Sequence, residues 1–224
     1  MIPVLAVPVL RPDLVGRMLD SVDVSVDQLL VIDNGAGVDL APWVSVVRLP
    51  SNLGVAASWN LAMKLTPRAP WWALVNDDVV FAPADLTRLA GAMADPAPRI
   101  ATLDGFAAFG INAAALALVG WFDENFHPAY CEDADYEFRC RLAGVPIVSI
   151  PAGLRHDRSA TIQDPRYQAQ NARTYPLNAA YYCSKWGGDL RGGETFTTPF
   201  NRGGHVRDWA LDIARVRDQA WATR

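Results

Sequence analysis

Trp71-Trp72-Ala73-Leu74-Val75-Asn76-Asp77-Asp78 is the stretch that decides the fold. Five apolar residues run without a break and stop at three polar ones. A run of that length with no helical periodicity reads as a strand buried on both faces. Working upstream, Gly54 to Leu65 has helical spacing, with Val55, Trp59, Ala62 and Met63 on one side. Val44 to Leu49 reads as a strand. Gln28 to Ile32 is another, stopping at the turn signal Asp33-Asn34-Gly35. Pro12 to Ser21 reads as a helix with Leu14, Met18 and Leu19 together, and Met1 to Val9 as a buried strand. Downstream, Pro83 to Met93 reads as a helix with proline in its first turn. This alternation predicts an α/β layer structure with a mostly parallel central sheet flanked by helices. In such sheets ligands bind beyond the carboxyl ends of the strands. Asp33 and Asp77-Asp78 both fall there.

The second half is less regular. Ile100 to Phe109 is expected as one strand, and Asn112 as the cap of a helix from Ala113 to Val119. Glu132 to Ala143 reads as a helix closed by Gly144, and Val145 to Ile150 as a strand. The tail is expected to hold a helix from Arg166 to Trp186, a glycine-rich stretch from Gly187 to Gly204 and a last helix from Arg207 to Ala222. The expected organisation is a catalytic core over residues 1–160 and a helical and loop extension over 161–224, packed on the acceptor side of one compact domain.

The totals narrow the function. The 224 residues suit one large domain, and 51% apolar with 20% charged residues is ordinary for a globular chain. A net charge of -4 gives no basic footprint for nucleic acid. Cys131, Cys140 and Cys183 fit no disulfide framework or zinc pattern. Reduced thiols, and an N-terminus without a signal-peptide pattern, lead us to expect a cytoplasmic protein. Phe106 to Phe122 is nearly uncharged, but it is shorter than the roughly 20 residues a spanning helix needs. Asn112, Gly110 and Gly120 also interrupt it, so no transmembrane segment is expected.

Three constellations carry chemistry. Asp77 and Asp78, adjacent at the end of a buried strand, repel each other and call for a positive partner. A divalent cation shared with substrate phosphates would serve; a solvated turn is the plainer reading. Glu132, Asp133 and Asp135 crowd the start of a helix, where its dipole favours acids. The same dipole keeps a carboxylate ionised, as a general base requires. Asp135 and Arg139 are spaced to pair on one face. His156 follows a strand, as a metal ligand or as a structural residue. Pro8, Arg11 and Asp33 sit where loops could clasp a nucleotide, and also where loop capping would explain them. The helix opened by Gly54 and carrying Asn60 offers an N-terminus to an anion.

In order, the segments Pro8–Leu14, Leu30–Gly35, Asn52–Asn60, Leu74–Val79, Gly120–Phe126, Glu132–Arg141, Ala143–Val145 and His156 resemble the GT-A fold glycosyltransferases. The resemblance is to the large inverting family that includes rhamnosyl- and galactofuranosyl-transferases, and it spans residues 2 to 160. It implies a nucleotide-sugar donor, with UDP favoured, and a divalent cation, Mn2+ or Mg2+. Asp33 would recognise the base, with Pro8, Arg11 and Asn60 also on the cofactor side. Asn76-Asp77-Asp78 would be the DxD motif, Asp77 on the ribose and Asp78 on the metal, with His156 as a further ligand. Asp133 would be the catalytic base, and Trp121, Asp123, Glu132 and Asp135 would face sugar or acceptor. The acceptor would be a glycan, a lipid-linked sugar or a protein side chain. Asn76 in place of an acid and Trp121 in place of a second glycine depart from the pattern. The tail motifs Tyr181–Gly188 and Phe196–Asn201 resemble those of small phage-encoded and actinobacterial transferases. Two other functions stay open: a non-catalytic nucleotide- or sugar-binding module, and a sugar nucleotidyltransferase. The second is disfavoured by a first loop with no glycine before Gly16.

Overall fold

The computed structural model describes residues 1–157 and 164–203. Seven strands form the main sheet in the order β3-β2-β1-β4-β7-β6-β8. They are β1 (Ile2–Val9), β2 (Val26–Asp33), β3 (Ser45–Arg48), β4 (Trp71–Val75), β6 (Ile100–Thr102), β7 (Ala108–Asn112) and β8 (Ile147–Ser149). The pairs β1·β2, β1·β4, β2·β3 and β6·β8 are parallel, and β7 runs antiparallel to both β4 and β6. A mostly parallel sheet flanked by helices is thus the architecture, as expected.

Alternation along the central strands sorts side chains to two faces. Leu5, Val7 and Val9 of β1 join Trp71, Ala73 and Val75 of β4 in one apolar layer. That layer is closed by α1 (Pro12–Asp20) and α3 (Asp85–Ala92). Val4 and Ala6 join Trp72 and Leu74 in the other, under α2 (Val55–Leu65), α4 (Ala113–Val119) and α5 (Glu132–Ala143).

The local signals hold at several ends. Asn112 caps α4 by accepting from the Ala115 N–H at 2.8 Å, and Gly144 closes α5 in the left-handed region at φ 67°. Two expectations are corrected. Ile100 to Phe109 is not one strand: the chain turns at Asp104-Gly105, with Gly105 at φ 52°, and returns as β7. Helix α3 begins at Asp85 rather than Pro83, because Ala84 takes φ 68° and breaks the first turn. The helix expected from Arg207 to Ala222 lies outside the described residues.

Helix α6 (Pro165–Trp186) packs its C-terminal end on α5. Trp186 meets Phe138 edge to face with ring centroids 4.8 Å apart, in a cluster with Phe126, Ala134 and Tyr182. Lys185, fully buried beside it, ion-pairs with Asp123 at 2.8 Å and Asp135 at 2.5 Å. Arg139 holds the other oxygen of Asp135 at 2.8 Å. Among the described residues, no helix is long and apolar enough to cross a membrane.

Candidate active site

A cleft of about 500 Å³ opens beyond the carboxyl ends of β1, β2 and β4. Pro8, Asn34 and Asn76-Asp77-Asp78 line its strand side. The first residues of α5, the Asp104–Ala107 turn and the start of α6 complete it.

Asp77 is buried, and its Oδ2 accepts the N–H groups of Leu10 (3.1 Å) and Arg11 (3.0 Å). It therefore shapes the loop after β1. Burial pushes its pKa up to about 6, against the pull of those two N–H groups.

Asp78 is brought to His156 by a two-stranded antiparallel sheet, β5 (Val79–Val80) with β9 (Arg155–His156), in which Val79 faces His156. The Asp157 N–H also bonds to the Asp78 carbonyl at 3.0 Å. Asp78 Oδ1 is buried without a hydrogen-bond partner, and His156 Nε2 stands 3.3 Å from it, close but not aligned as a hydrogen bond. The other ring nitrogen, Nδ1, bonds to Asp104 Oδ2 at 2.8 Å. A carboxylate on one imidazole nitrogen fixes the ring and turns the other nitrogen outward, the arrangement that orients a histidine ligand. Contact with Asp78 raises the His156 pKa; burial opposes this and Asp104 adds to it. Asp104 was not anticipated. The glycine after it, inside an apolar run, was the one available signal.

At the start of α5, Glu132 is buried with Oε2 unpartnered, and Asp133 beside it is part-exposed. Burial, then the charge of Asp133, pushes the Glu132 carboxyl up to about 8. Asp133 Oδ1 accepts the Ala134 N–H at 2.8 Å, and its Oδ2 is held by Arg191. Arg191 also escaped the sequence reading, since nothing local links it to a residue 58 positions away.

Asp77, Asp78, Glu132, Asp133, His156 and Pro8 thus meet in one cleft. The other candidates from the sequence, Asp33, Asn60, Arg11, Trp121, Asp123 and Asp135, do not line it. Asp33 spends its carboxylate on the N–H groups of Ala36, Gly37 and Val38 and on Arg48, while its neighbour Asn34 reaches the cleft wall. Asn60 clamps the backbone of Phe122 in both directions, at 2.8 and 3.0 Å. Arg11 turns to Asp13 and Asp164. Trp121 lies under Lys64, 5.2 Å from the ring centre. Asp123 and Asp135 are enclosed with Lys185, Arg139, Tyr181 and Trp186. Burial opposes the charge on Asp135, but Lys185 and then Arg139 outweigh it and lower its pKa.

No family model matches the chain. A 41-residue segment is 49% identical to a galactofuranosyl glycosyltransferase of Leishmania donovani, covering 18% of this chain and 9% of that protein. Solved structures match much more of the chain at low identity. A mannosyltransferase of Pyrobaculum calidifontis, in complex with GDP-mannose and Mn2+, superposes with a TM-score of 0.58 at 15% identity, over 98% of this chain and 74% of that one. Glucosyl-3-phosphoglycerate synthase of Mycobacterium tuberculosis, with Mn2+, UDP and phosphoglyceric acid, gives 0.56 at 14% identity, over 79% and 78%. S. aureus TarS 1–349 in complex with UDP gives 0.52 at 15% identity, over 67% and 58%. The fold of this chain matches the GT-A fold of glycosyltransferase structures.

Proposed function

We propose that this protein is an inverting glycosyltransferase that moves a sugar from a nucleoside diphosphate donor, UDP first among them, to an acceptor hydroxyl. The observation that carries the reading is the meeting of Asp78 and His156 with Asp133 in one cleft at the strand ends of a GT-A fold. The short, 49%-identical match to a galactofuranosyl glycosyltransferase and the neighbours' nucleotides support the same class.

The nucleoside lies against Pro8 and Asn34, with Asp33 acting through the loop it holds and Asp77 turned to the ribose. The orphaned Oδ1 of Asp78 and the oriented Nε2 of His156 fit a divalent cation, hard oxygen and imidazole being suitable donors. Among the described residues no group of three or more acidic, histidine or cysteine side chains is arranged to hold a metal ion. Such a cation, Mn2+ or Mg2+, would supply Lewis-acid neutralisation of the departing diphosphate.

Asp133 takes the proton of the acceptor hydroxyl as that oxygen bonds to the anomeric carbon. The bond from that carbon to the diphosphate oxygen breaks, and its electron pair leaves with the nucleotide. Attack from the face opposite the leaving group inverts the anomeric centre. Glu132, held protonated by burial near neutral pH, is a donor for a sugar hydroxyl beside the base. The test is release of nucleotide from a panel of UDP- and GDP-sugars with manganese. Wild-type protein releases it, slowly to water and faster with a suitable acceptor, and Asp133→Asn lowers the rate at least about 100-fold. Near-normal rates in Asp133→Asn would remove the base from the mechanism. No release by the wild type from any donor would favour a binding module.

A further inference from the structure

Arg191 is a cation in the cleft for which the mechanism above has no task. Five carboxyl groups line the cleft, and Arg191 is the one permanently charged cation in its lining among the described residues. A diphosphate entering such an acidic cleft needs positive charge, and a guanidinium matches phosphate oxygens in a two-pronged fashion.

The chain is built to hold Arg191 there. It sits between Gly188 and Gly193, which are pinched together. A Cβ on Gly188, at φ 104°, would lie 1.7 Å from the Gly193 carbonyl oxygen, and one on Gly193 would lie 2.5 Å from the Asp189 nitrogen. Only glycine fits either place. Glu194 fastens the loop, accepting from Tyr182 at 2.5 Å, Arg141 at 3.0 Å and the Gly192 N–H at 3.0 Å. The Phe196 N–H bonds back to the Trp186 carbonyl at 2.8 Å. At the turn so formed, Arg191 itself takes φ 58°, an uncommon conformation for a residue with a side chain. The loop is fixed at its base, while the Arg191 side chain is 53% exposed.

Its present partner is the decisive detail. The guanidinium binds Asp133 Oδ2, an oxygen of the residue that takes the acceptor proton. An arginine there occupies an oxygen of the carboxylate that the hydroxyl would have to reach. A diphosphate carries more negative charge than one carboxylate and competes for the same guanidinium. Resting on the transferase reading, we propose that Arg191 is a diphosphate-binding residue that exchanges partners, leaving Asp133 for the donor's phosphates and so freeing the base when the donor is seated.

Calorimetric titration with manganese present tests this, using UDP, GDP and uridine against wild type, Arg191→Ala, Arg191→Lys, Asp133→Asn and the double variant Arg191→Ala/Asp133→Asn. Arg191 is half exposed, and an unchanged melting temperature verifies that each variant folds. Arg191→Ala is expected to weaken UDP about tenfold or more and leave uridine unchanged, with Arg191→Lys between. Asp133→Asn tightens UDP several-fold by releasing Arg191, and the gain vanishes in the double variant. UDP affinity unaffected by Arg191→Ala, or a gain in Asp133→Asn that survives loss of Arg191, overturns the exchange and leaves the transferase reading standing. Failure of wild type to bind any nucleoside diphosphate overturns both.

Discussion

Replacing Lys185 by methionine should cost this protein a large share of its stability. Lys185 is fully buried, and its ammonium lies 2.8 Å from Asp123 and 2.5 Å from Asp135, which are themselves buried. With Arg139 the group holds two acids and two bases, so it is neutral as a whole. Methionine keeps the length of the side chain and removes one positive charge. Two carboxylates then share the remaining guanidinium out of reach of water. Breaking a buried pair in this way costs roughly 3–5 kcal/mol. For a chain of this size each kcal/mol lowers the melting temperature by about 2–4 °C, so a fall of about 6–20 °C is expected. Urea unfolding and thermal melts at neutral pH read the loss. The added change Asp123→Asn should recover part of it, because the two sites act as one network. A loss under about 1 kcal/mol, or strictly additive effects of the two substitutions, would refute the reasoning. The depressed pKa of Asp135 gives the sign with pH. Its contribution is present above the usual carboxylate range, roughly pH 4, and is lost as pH falls through the native value.

Glu132 behaves oppositely. Its carboxyl is raised to about 8 by burial, so the native state holds a proton that the unfolded chain releases near its ordinary value, and stability falls as pH rises between the two. Glu132→Gln should flatten urea-unfolding stability over that window; an unchanged slope would mean that Glu132 is not protonated. Asp104→Asn should loosen the orientation of His156 and weaken manganese binding about 10–100-fold in the presence of UDP, measured by electron paramagnetic resonance. Unaltered manganese affinity would place His156 outside the metal's shell.

Local signals carried much of this structure. The Trp71–Val75 run, the Asn112 cap and the Glu132–Ala143 helix with its Gly144 stop stand where side-chain chemistry alone puts them. What the sequence hides is what depends on distance. The reversal at Asp104-Gly105 lies inside an apolar run because β6 and β7 are both buried and neither alternates. The pairing of β5 with β9, which carries His156 to Asp78, joins residues far apart in the chain. Asp123 and Asp135 read as acids near a sugar, since nothing around them announces a buried lysine 62 or 50 residues later. Arg191 reads as one charge in a glycine-rich tail until the tail folds back on α5. That Asp77 and Asp78 share a cleft was legible because a parallel sheet leaves its open crevice at the strand ends.

The central claim, a nucleotide-sugar site built on Asp78 and His156, is tested most directly by thermal shift with UDP and GDP, with and without manganese, in wild type and Asp78→Ala. A ligand that binds the folded state alone raises the melting temperature with its occupancy. The account predicts stabilisation by a nucleoside diphosphate that requires manganese and disappears in Asp78→Ala. No shift with either nucleotide, or one that ignores both manganese and Asp78, would contradict it.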